Sequence, residues 1–231
     1  MGSTDIRVFI ADDQQETLTS LSKFIHAAEG MHVVGTAADG GQLRRFFEQN
    51  GGDQVDVALI DIGMPIEDGL TVLRAIKERY RDQIKLIAIT GMRGRNYPAE
   101  AMFKRADGFI AMYRSYEEIV DAIRQAHSGE KVYLPDPHDP YQPEVPPPPP
   151  PELSPMEERV LYLIGCRSYT NYQTAQEMKL SQPNMEKIRN IVMKKFGATN
   201  AVELGKVVER LGFCTDYETR HKLRDRPAPT D

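Results

Sequence analysis

Three acidic side chains and one hydroxyl group directly follow or end short apolar segments of the sequence. Asp12 and Asp13 come after one segment, while Asp61 and Thr90 end two others. Carboxylates gathered at one open position repel each other unless a proton or cation compensates, and hard oxygen ligands suit Mg²⁺. The cation would also neutralise a phosphoryl group arriving at Asp61, with Thr90 hydrogen-bonding one phosphoryl oxygen. The pattern predicts a Mg²⁺ site for phosphoryl transfer to Asp61.

The elements that must position these side chains alternate between strand and helix. Apolar runs predict strands at 7–11, 32–37, 55–61, 85–90 and 108–112. Amphipathic stretches between them predict helices, including a short one at 99–105 and a last one capped by Ser115 with Glu118. This (βα)5 order predicts an α/β fold, a doubly wound, flavodoxin-like parallel sheet ordered 2-1-3-4-5. Strands one and three are then neighbours, so their acids meet at the carboxyl edge.

Four motifs in this region resemble those of response-regulator receiver domains. They are IADD at 10–13, LIDIGMPIEDGL at 59–70, AITG at 88–91 and ADGFI at 106–110. The resemblance implies that Asp61 is the phospho-acceptor and that Asp12 and Asp13 hold Mg²⁺. It also implies that the Gly63 carbonyl binds the metal and that Thr90 and Phe109 are the switch residues.

One position departs from the receiver pattern. Receivers usually have a lysine three residues after the switch aromatic, and this chain has Met112 there. Arg93 or Arg114 could reach the phosphoryl group instead. Two interpretations therefore stay open, a receiver controlled by phosphate, and one that binds Mg²⁺ or a protein partner without switching on phosphate.

Prolines divide the chain. Ten of the 16 prolines lie between Pro135 and Pro151, including an unbroken run of six, which predicts a polyproline II spacer. The predicted domains are a receiver at 1–130, a linker at 131–152, a second domain at 153–215 and a flexible tail at 216–231. Residues 1–135 carry 16 basic and 20 acidic side chains, whereas 153–215 carry 9 and 6. The second domain is thus mildly basic, although the whole chain has a net charge of -5.

The second domain is predicted to be all-α, with four helices. Ser154 with Pro155 begins the first, Thr170 caps the second, and Ser181 caps a third that stops at Gly197. A fourth runs from about Asn200 to Gly212. A short helix, a tight turn and a longer helix with basic residues on its outer face are typical of a helix-turn-helix unit.

The stretch 153–197 resembles the LuxR-type DNA-binding domain, and a receiver joined to it is the layout of the NarL/FixJ family of response regulators. The residues expected to contact DNA are Ser181, Asn184, Lys187, Arg189, Asn190, Lys194 and Lys195. Asn184, Glu186 and Ile188 stand where that family usually has threonine, lysine and histidine. Glu186 suits phosphate contact badly, so a helix domain kept for dimerisation remains an alternative.

These features predict a two-component response regulator that binds double-stranded DNA as a transcription factor. Its expected partners are a sensor histidine kinase or other phosphodonor and a second copy in a homodimer. The alternative is a phosphate-independent adaptor for dimerisation or protein interaction, with weak or no specific DNA binding. The chain has no P-loop or nucleophile elbow, so an enzyme is not expected. Without a membrane span or signal pattern the protein is expected in the cytoplasm, with Cys166 and Cys214 as reduced thiols.

Overall fold

The computed structural model describes residues 5–49, 51–92, 97–98, 101, 104–139 and 151–221, without the side chains of residues 219 and 220. The chain forms two compact units, residues 1–149 and 150–231. None of the described helices is long and apolar enough to cross a membrane.

The first unit is built on a six-stranded parallel sheet in the order β2-β1-β3-β4-β5-β6. The strands are β1 (Ile6–Ala11), β2 (Met31–Ala37), β3 (Val57–Asp61), β4 (Lys85–Thr90), β5 (Gly108–Ala111) and β6 (Val132–Leu134). β3, β4 and β5 are buried over nearly their whole length, which explains their continuous apolar sequences. The predicted doubly wound parallel fold is confirmed.

Helices cover both faces of this sheet. They are α1 (Gln15–Ala27), α2 (Gly40–Glu48), α3 (Gly69–Tyr80) and α4 (Tyr116–His127), with a short 3₁₀ turn at Gly51–Gln54. α2 and α3 pack on one face around Phe9 and Leu73, and α1 and α4 pack on the other around Ile10 and Ile123. Ser115 caps α4 with the expected capping box. Most of the helix predicted at 99–105 lies outside the described residues.

The sixth strand corrects two predictions, because a five-stranded sheet was expected and residues 131–134 were assigned to the linker. β6 pairs in parallel with β5, with Tyr133 opposite Phe109. Gly108 permits this close approach, since a Cβ atom there would lie 2.9 Å from the Cβ atom of Val132. A three-residue strand is too short for the alternation of apolar and polar residues to be recognised.

The second unit is helical. Its elements are α5 (Pro155–Leu161), a π-helical turn (Tyr162–Cys166), α6 (Asn171–Glu177), α7 (Gln182–Lys195), α8 (Ala201–Arg210) and α9 (Phe213–His221). Ser154 and Thr170 form capping boxes, whereas Ser181 stands at the start of α7 without a capping hydrogen bond from its side chain. The predicted helical domain is confirmed, but it has five α-helices among the described residues rather than four.

The fifth helix, α9, corrects the predicted flexible tail, which was to begin at residue 216. Tyr217 is buried and its ring stacks on Tyr162 at 4.3 Å between centroids. The Tyr162 hydroxyl donates to Glu218 at 2.9 Å. The segment looks polar in sequence because the buried residues described from 216 onward, Asp216 and Tyr217, both carry polar groups and form no aliphatic stripe.

A disulfide bond joins α9 to the π-helical turn. Cys166 and Cys214 are bonded to each other, with Cα atoms 5.5 Å apart. The expectation of two reduced thiols is therefore wrong. The two cysteines lie 48 residues apart in sequence, and only the packing of α9 on the turn brings them together.

Candidate functional site

An acidic pocket forms where β1 and β3 end side by side. Ala11 pairs with Ile60, so the residues that follow, Asp12 and Asp61, come out at the same edge of the sheet. Carboxylate oxygens of Asp12, Asp13 and Asp61 all lie within 4.8 Å of one another. Asp12 and Asp61 are buried and Asp13 is exposed, so the pocket opens to solvent on one side. Three carboxylates at this spacing form a donor set that suits a divalent oxygen-binding cation.

Burial and repulsion perturb two of these acids. Burial raises the pKa of Asp61 to about 6, the nearby charges of Asp12 and Asp13 add to the rise, and backbone N–H groups of Gly63 and Ile62 oppose it. The pKa of Asp12 is also raised, mainly by burial and also by Asp13, although the Gln14 N–H donates to its carboxylate at 2.8 Å. A buried cluster in which ionisation is costly is a typical functional site.

The loop between β3 and α3 holds its backbone against the pocket. A Cβ atom at Gly69 would lie 1.8 Å from the carbonyl oxygen of Asp61, so no larger residue fits. The Gly69 N–H donates to the carbonyl of Ile62 at 3.1 Å. In the same loop, Ile66 has a φ of 69° and is 83% exposed. A β-branched residue in this left-handed conformation is strained.

The predicted switch residues line the neighbouring strands. Thr90 ends β4 with no exposed surface, and its hydroxyl oxygen accepts the Met92 N–H at 3.0 Å. Phe109 on β5 is also fully buried, and its ring packs against Tyr133 of β6 with centroids 6.2 Å apart. Burial raises the pKa of Tyr133 to about 12.

The position that lacks lysine carries an apolar side chain packed on the core. Met112 is half-buried against the cluster formed by α1, α4 and the sheet. Of the two arginines considered as substitutes, Arg93 lies outside the described residues. Arg114 donates to the carbonyl of Pro135 at 2.5 Å and pairs with Glu118 at 3.2 Å. Its guanidinium is therefore engaged at the start of α4 and at the end of β6.

The helix-turn-helix of the second unit consists of α6, a turn with Lys179 at a φ of 54°, and α7. Met185 and Val192 anchor α7 in the core. Of the residues expected to contact DNA, Arg189 is half-buried and the others are exposed, namely Ser181, Asn184, Lys187, Asn190, Lys194 and Lys195. Lys195 pairs with Glu157 at 2.8 Å and donates to the carbonyl of Glu152 at 2.7 Å. That contact ties the end of α7 to the start of α5.

The family profile of the response regulator receiver domain matches residues 8–124, just over half of the chain. The chain belongs to the response regulator receiver family. The resemblance noted from the IADD, LIDIGMPIEDGL, AITG and ADGFI motifs is thereby confirmed.

Other response regulators are similar to this chain over both of its units. The transcriptional regulatory protein DesR of Bacillus subtilis is 28% identical over 198 residues, covering 86% of this chain and 94% of DesR. The response regulator UvrY of Escherichia coli is 27% identical over 214 residues, covering 90% of this chain and 96% of UvrY. A solved structure of the response regulator RcsB of Salmonella typhimurium, from work on conformational dynamism for DNA interaction, is also similar. Its TM-score is 0.51 and its sequence identity 20%, and the match covers 89% of this chain and 98% of RcsB. The RcsB likeness shows a shared fold.

Sequence reasoning missed two residues that shape the site of this response regulator. Tyr133 covers the ring of Phe109 from the unexpected strand β6. Glu157 completes the capping box at the start of α5, and it also neutralises Lys195. The signals that could have found them are weak. Tyr133 stands in a short apolar triplet, and the Glu157–Lys195 contact joins positions far apart in the chain.

Proposed function

We propose that this response regulator is a transcription factor that binds double-stranded DNA through α7 and is controlled by phosphorylation of Asp61. The observation that carries the proposal is the buried Asp61 within 4.8 Å of Asp12 and Asp13 in a chain that also carries a helix-turn-helix. The similarity to DesR and UvrY spans nearly their whole lengths, which supports a regulator made of both units. As part of this proposal the protein acts in the cytoplasm, where its DNA is found.

Mg²⁺ fits the acidic pocket, because oxygen donors with uncompensated negative charge are the ligands it prefers. Asp12, Asp13, Asp61 and the carbonyl of Gly63 would hold it. When bound, the ion supplies positive charge against the carboxylates and the incoming phosphoryl oxygens.

The protein's own residues carry the rest of the chemistry. A carboxylate oxygen of Asp61 attacks the phosphorus of a phosphodonor such as a phosphohistidine of a sensor kinase; a P–O bond forms as the donor's P–N bond breaks. The Thr90 hydroxyl, at the end of the neighbouring β4, would then donate to a phosphoryl oxygen. Phe109 lies on the adjacent strand β5, opposite Ala88, and would follow that rearrangement. This reaction modifies the protein itself, so no separate enzymatic activity is proposed.

DNA binding is assigned to the exposed surface of α7. Asn184, Lys187, Ile191 and Lys194 recur every three or four residues and are exposed, so they share one side of the helix. We infer that Lys187 and Lys194 contact phosphates, and that Asn184, with Asn190 beside this face, contacts bases or the adjacent backbone. Arg189 is half-buried and lies on the opposite side of α7. Lys195 contributes less than predicted from the sequence, because its ammonium is neutralised by Glu157.

Phosphorylation is tested by treating the full chain with Mg²⁺ and a small phosphodonor and measuring its intact mass. We expect a gain of one phosphoryl group that is lost in Asp61→Asn and retained in Asp53→Asn, an acid outside the pocket. The same gain in the Asp61→Asn protein would refute the assignment.

DNA binding is tested by genomic footprinting, followed by affinity measurements on a protected site over a series of salt concentrations. Lys187→Ala should weaken binding and reduce the slope of log K against log[salt] by about 0.9, the value for one lost phosphate contact. The matched control is Lys206→Ala on α8, which should leave the slope unchanged. If no specific site is protected, the DNA-binding proposal fails.

A second function is favoured by the side chains around the switch. Met112 brings no charge and Arg114 is engaged by Pro135 and Glu118, so neither compensates the acyl phosphate. In this alternative the receiver is a phosphate-independent adaptor for dimerisation or for a protein partner. A protein that gains no phosphoryl mass yet protects specific DNA would support a phosphate-independent regulator, and one that does neither would support the adaptor.

A homodimer is part of the proposed function. The groove between α1 and α4 is lined by apolar side chains together with the charged Glu117, Asp121 and Arg124. Phe24 is 43% exposed there, and its ring stacks on Tyr116 at 4.0 Å between centroids. Sedimentation of the full chain with and without phosphodonor measures the association. We expect Phe24→Glu to shift it toward monomer, and an unchanged dimer would exclude this face.

A further inference from the structure

A second cavity lies at the amino edge of the sheet, the opposite edge from the acidic pocket. It has a volume of about 500 Å³ and is lined by charged residues of α3, of the segment that follows it, and of the turn before β5. Its cationic lining residues are Arg74, Lys77, Arg81, Lys104 and Arg105. Among the described residues that line it, the carboxylates are those of Glu78 and Asp82. These described lining residues therefore carry three more positive than negative side chains.

Ion pairs account for part of this positive charge. Arg74 pairs with Glu78 at 3.0 Å. The ammonium of Lys77 lies 3.1 Å from a carboxylate oxygen of Asp82 and 2.9 Å from one of Asp107. These contacts leave Arg81 and Arg105, both exposed, whose guanidinium groups have no hydrogen-bond or ion-pair partner in the described structure.

Both of these arginines lie on left-handed backbone. Arg81 ends α3 with a φ of 53°, and Arg105 has a φ of 66°. Glycine is the usual residue in such positions because it has no Cβ atom to clash, and a long side chain there costs free energy. Two strained positions that both carry arginine, and both line one cavity, point to a use for their charge.

The surroundings make this positive charge unusual. The segment 1–135 has more acidic than basic side chains, 20 against 16, so an anion is repelled by most of this domain. A concave surface lined by surplus cations concentrates the electrostatic field and attracts anions locally. The planar guanidinium group matches the geometry of phosphate oxygens and can bind two of them at once.

We propose that this cavity binds a compact polyphosphate, either inorganic or carried by a nucleotide. Its volume falls in the range of about 300–1,000 Å³ that is common for small-molecule sites. Its lining is composed of charged residues, which favours a highly charged, hydrophilic ligand. Arg81 and Arg105 come from two separate segments of the cavity lining, the end of α3 and the turn before β5, which suits a ligand with more than one phosphate group.

The test is calorimetric titration of the full chain, in buffer free of Mg²⁺, with tripolyphosphate and separately with ATP. Sodium sulfate at matched ionic strength serves as the simple-anion control. We expect saturable binding of tripolyphosphate, and tighter binding of ATP would identify a nucleotide as the preferred carrier. Arg81→Gln combined with Arg105→Gln should weaken binding about a hundredfold, because two charge-assisted contacts are lost. The matched control, Lys23→Gln with Arg45→Gln, removes two exposed charges outside the cavity and should bind like the parent.

A second double variant separates binding from folding. Arg81→Gly with Arg105→Gly relieves both left-handed positions, so its melting temperature should rise while tripolyphosphate binding is lost. Equal weakening in the Lys23/Arg45 control would show a general charge effect and overturn the proposal. So would binding no stronger than that of sulfate, or protection of this surface by duplex DNA but not by tripolyphosphate.

Discussion

Replacing Asp61 by asparagine should stabilise the metal-free receiver, and the gain should depend on pH. Burial and the neighbouring acids raise the pKa of Asp61 from an ordinary value of 3.8 to about 6. Each pH unit of such a difference is worth about 1.4 kcal/mol, so ionised Asp61 costs the folded state about 3 kcal/mol. Asparagine has nearly the same shape and carries no charge, so it avoids this cost.

The direction in which the unfolding free energy changes with pH depends on which state, folded or unfolded, holds the Asp61 proton. Below about pH 4 both the folded and the unfolded chain keep Asp61 protonated, and the charge costs nothing. Between about pH 4 and pH 6 the unfolded chain releases the proton while the folded chain retains it, so the unfolding free energy falls as pH rises. Above pH 6 the full cost is present. The difference between Asp61→Asn and its parent should thus grow from near zero at pH 4 to about 3 kcal/mol at pH 7.

Urea unfolding in EDTA, followed by far-UV circular dichroism, measures this difference, since the chain has no tryptophan. We expect Mg²⁺ to shift the receiver transition in the parent protein, and this shift identifies that transition. Asp13→Asn serves as the companion variant. It removes a repelling charge but leaves Asp61 buried, so it should recover only a small part of the gain. Equal stability of Asp61→Asn and its parent from pH 5 to pH 8 would refute the reasoning.

Three other variants test the packing described above. Cys166→Ser with Cys214→Ser opens a loop of 48 residues and should lower the unfolding free energy of the second unit by up to about 4 kcal/mol. A reductant should cause the same loss in the parent protein. Gly69→Ala places a Cβ atom 1.8 Å from the carbonyl oxygen of Asp61. It should cost about 3 kcal/mol or more in urea unfolding and abolish the expected stabilisation by Mg²⁺. Ile66→Gly relieves a left-handed residue that is 83% exposed and should raise the melting temperature, by an amount equivalent to about 1 kcal/mol; a lower melting temperature would show that the Ile66 side chain is needed there.

Much of the acidic pocket could be predicted from sequence because strand ends are local features. Asp12 and Asp61 each stand at the end of an apolar run, and parallel pairing of β1 with β3 then brings them together. The helix starts at Ser115, Ser154 and Thr170 were equally visible, because a capping box lies within four consecutive residues. The roles assigned to these residues in phosphorylation remain predictions.

What could not be predicted depends on contacts between distant parts of the chain. The bond between Cys166 and Cys214 forms because α9 packs on the π-helical turn, and nothing local marks either cysteine for pairing. The Glu157–Lys195 pair, at 2.8 Å, likewise reduces the charge of a predicted DNA contact through tertiary structure. Strand β6 was missed because three residues are too few to show a period.

Strand β6 also decides how the sheet ends. Without it, β5 would be the edge strand of the sheet. Its four residues are all buried, and its unpaired backbone N–H and C=O groups would be exposed to pairing with another chain, which is a typical route to aggregation. β6 is only three residues long and is followed by Pro135, which cannot donate a ladder hydrogen bond, so a further strand has little to pair with. A receiver fragment cut at residue 130 would lose this protection and uncover Phe109. One that extends to residue 139 keeps the edge closed and is the better starting point for studying the domain in isolation.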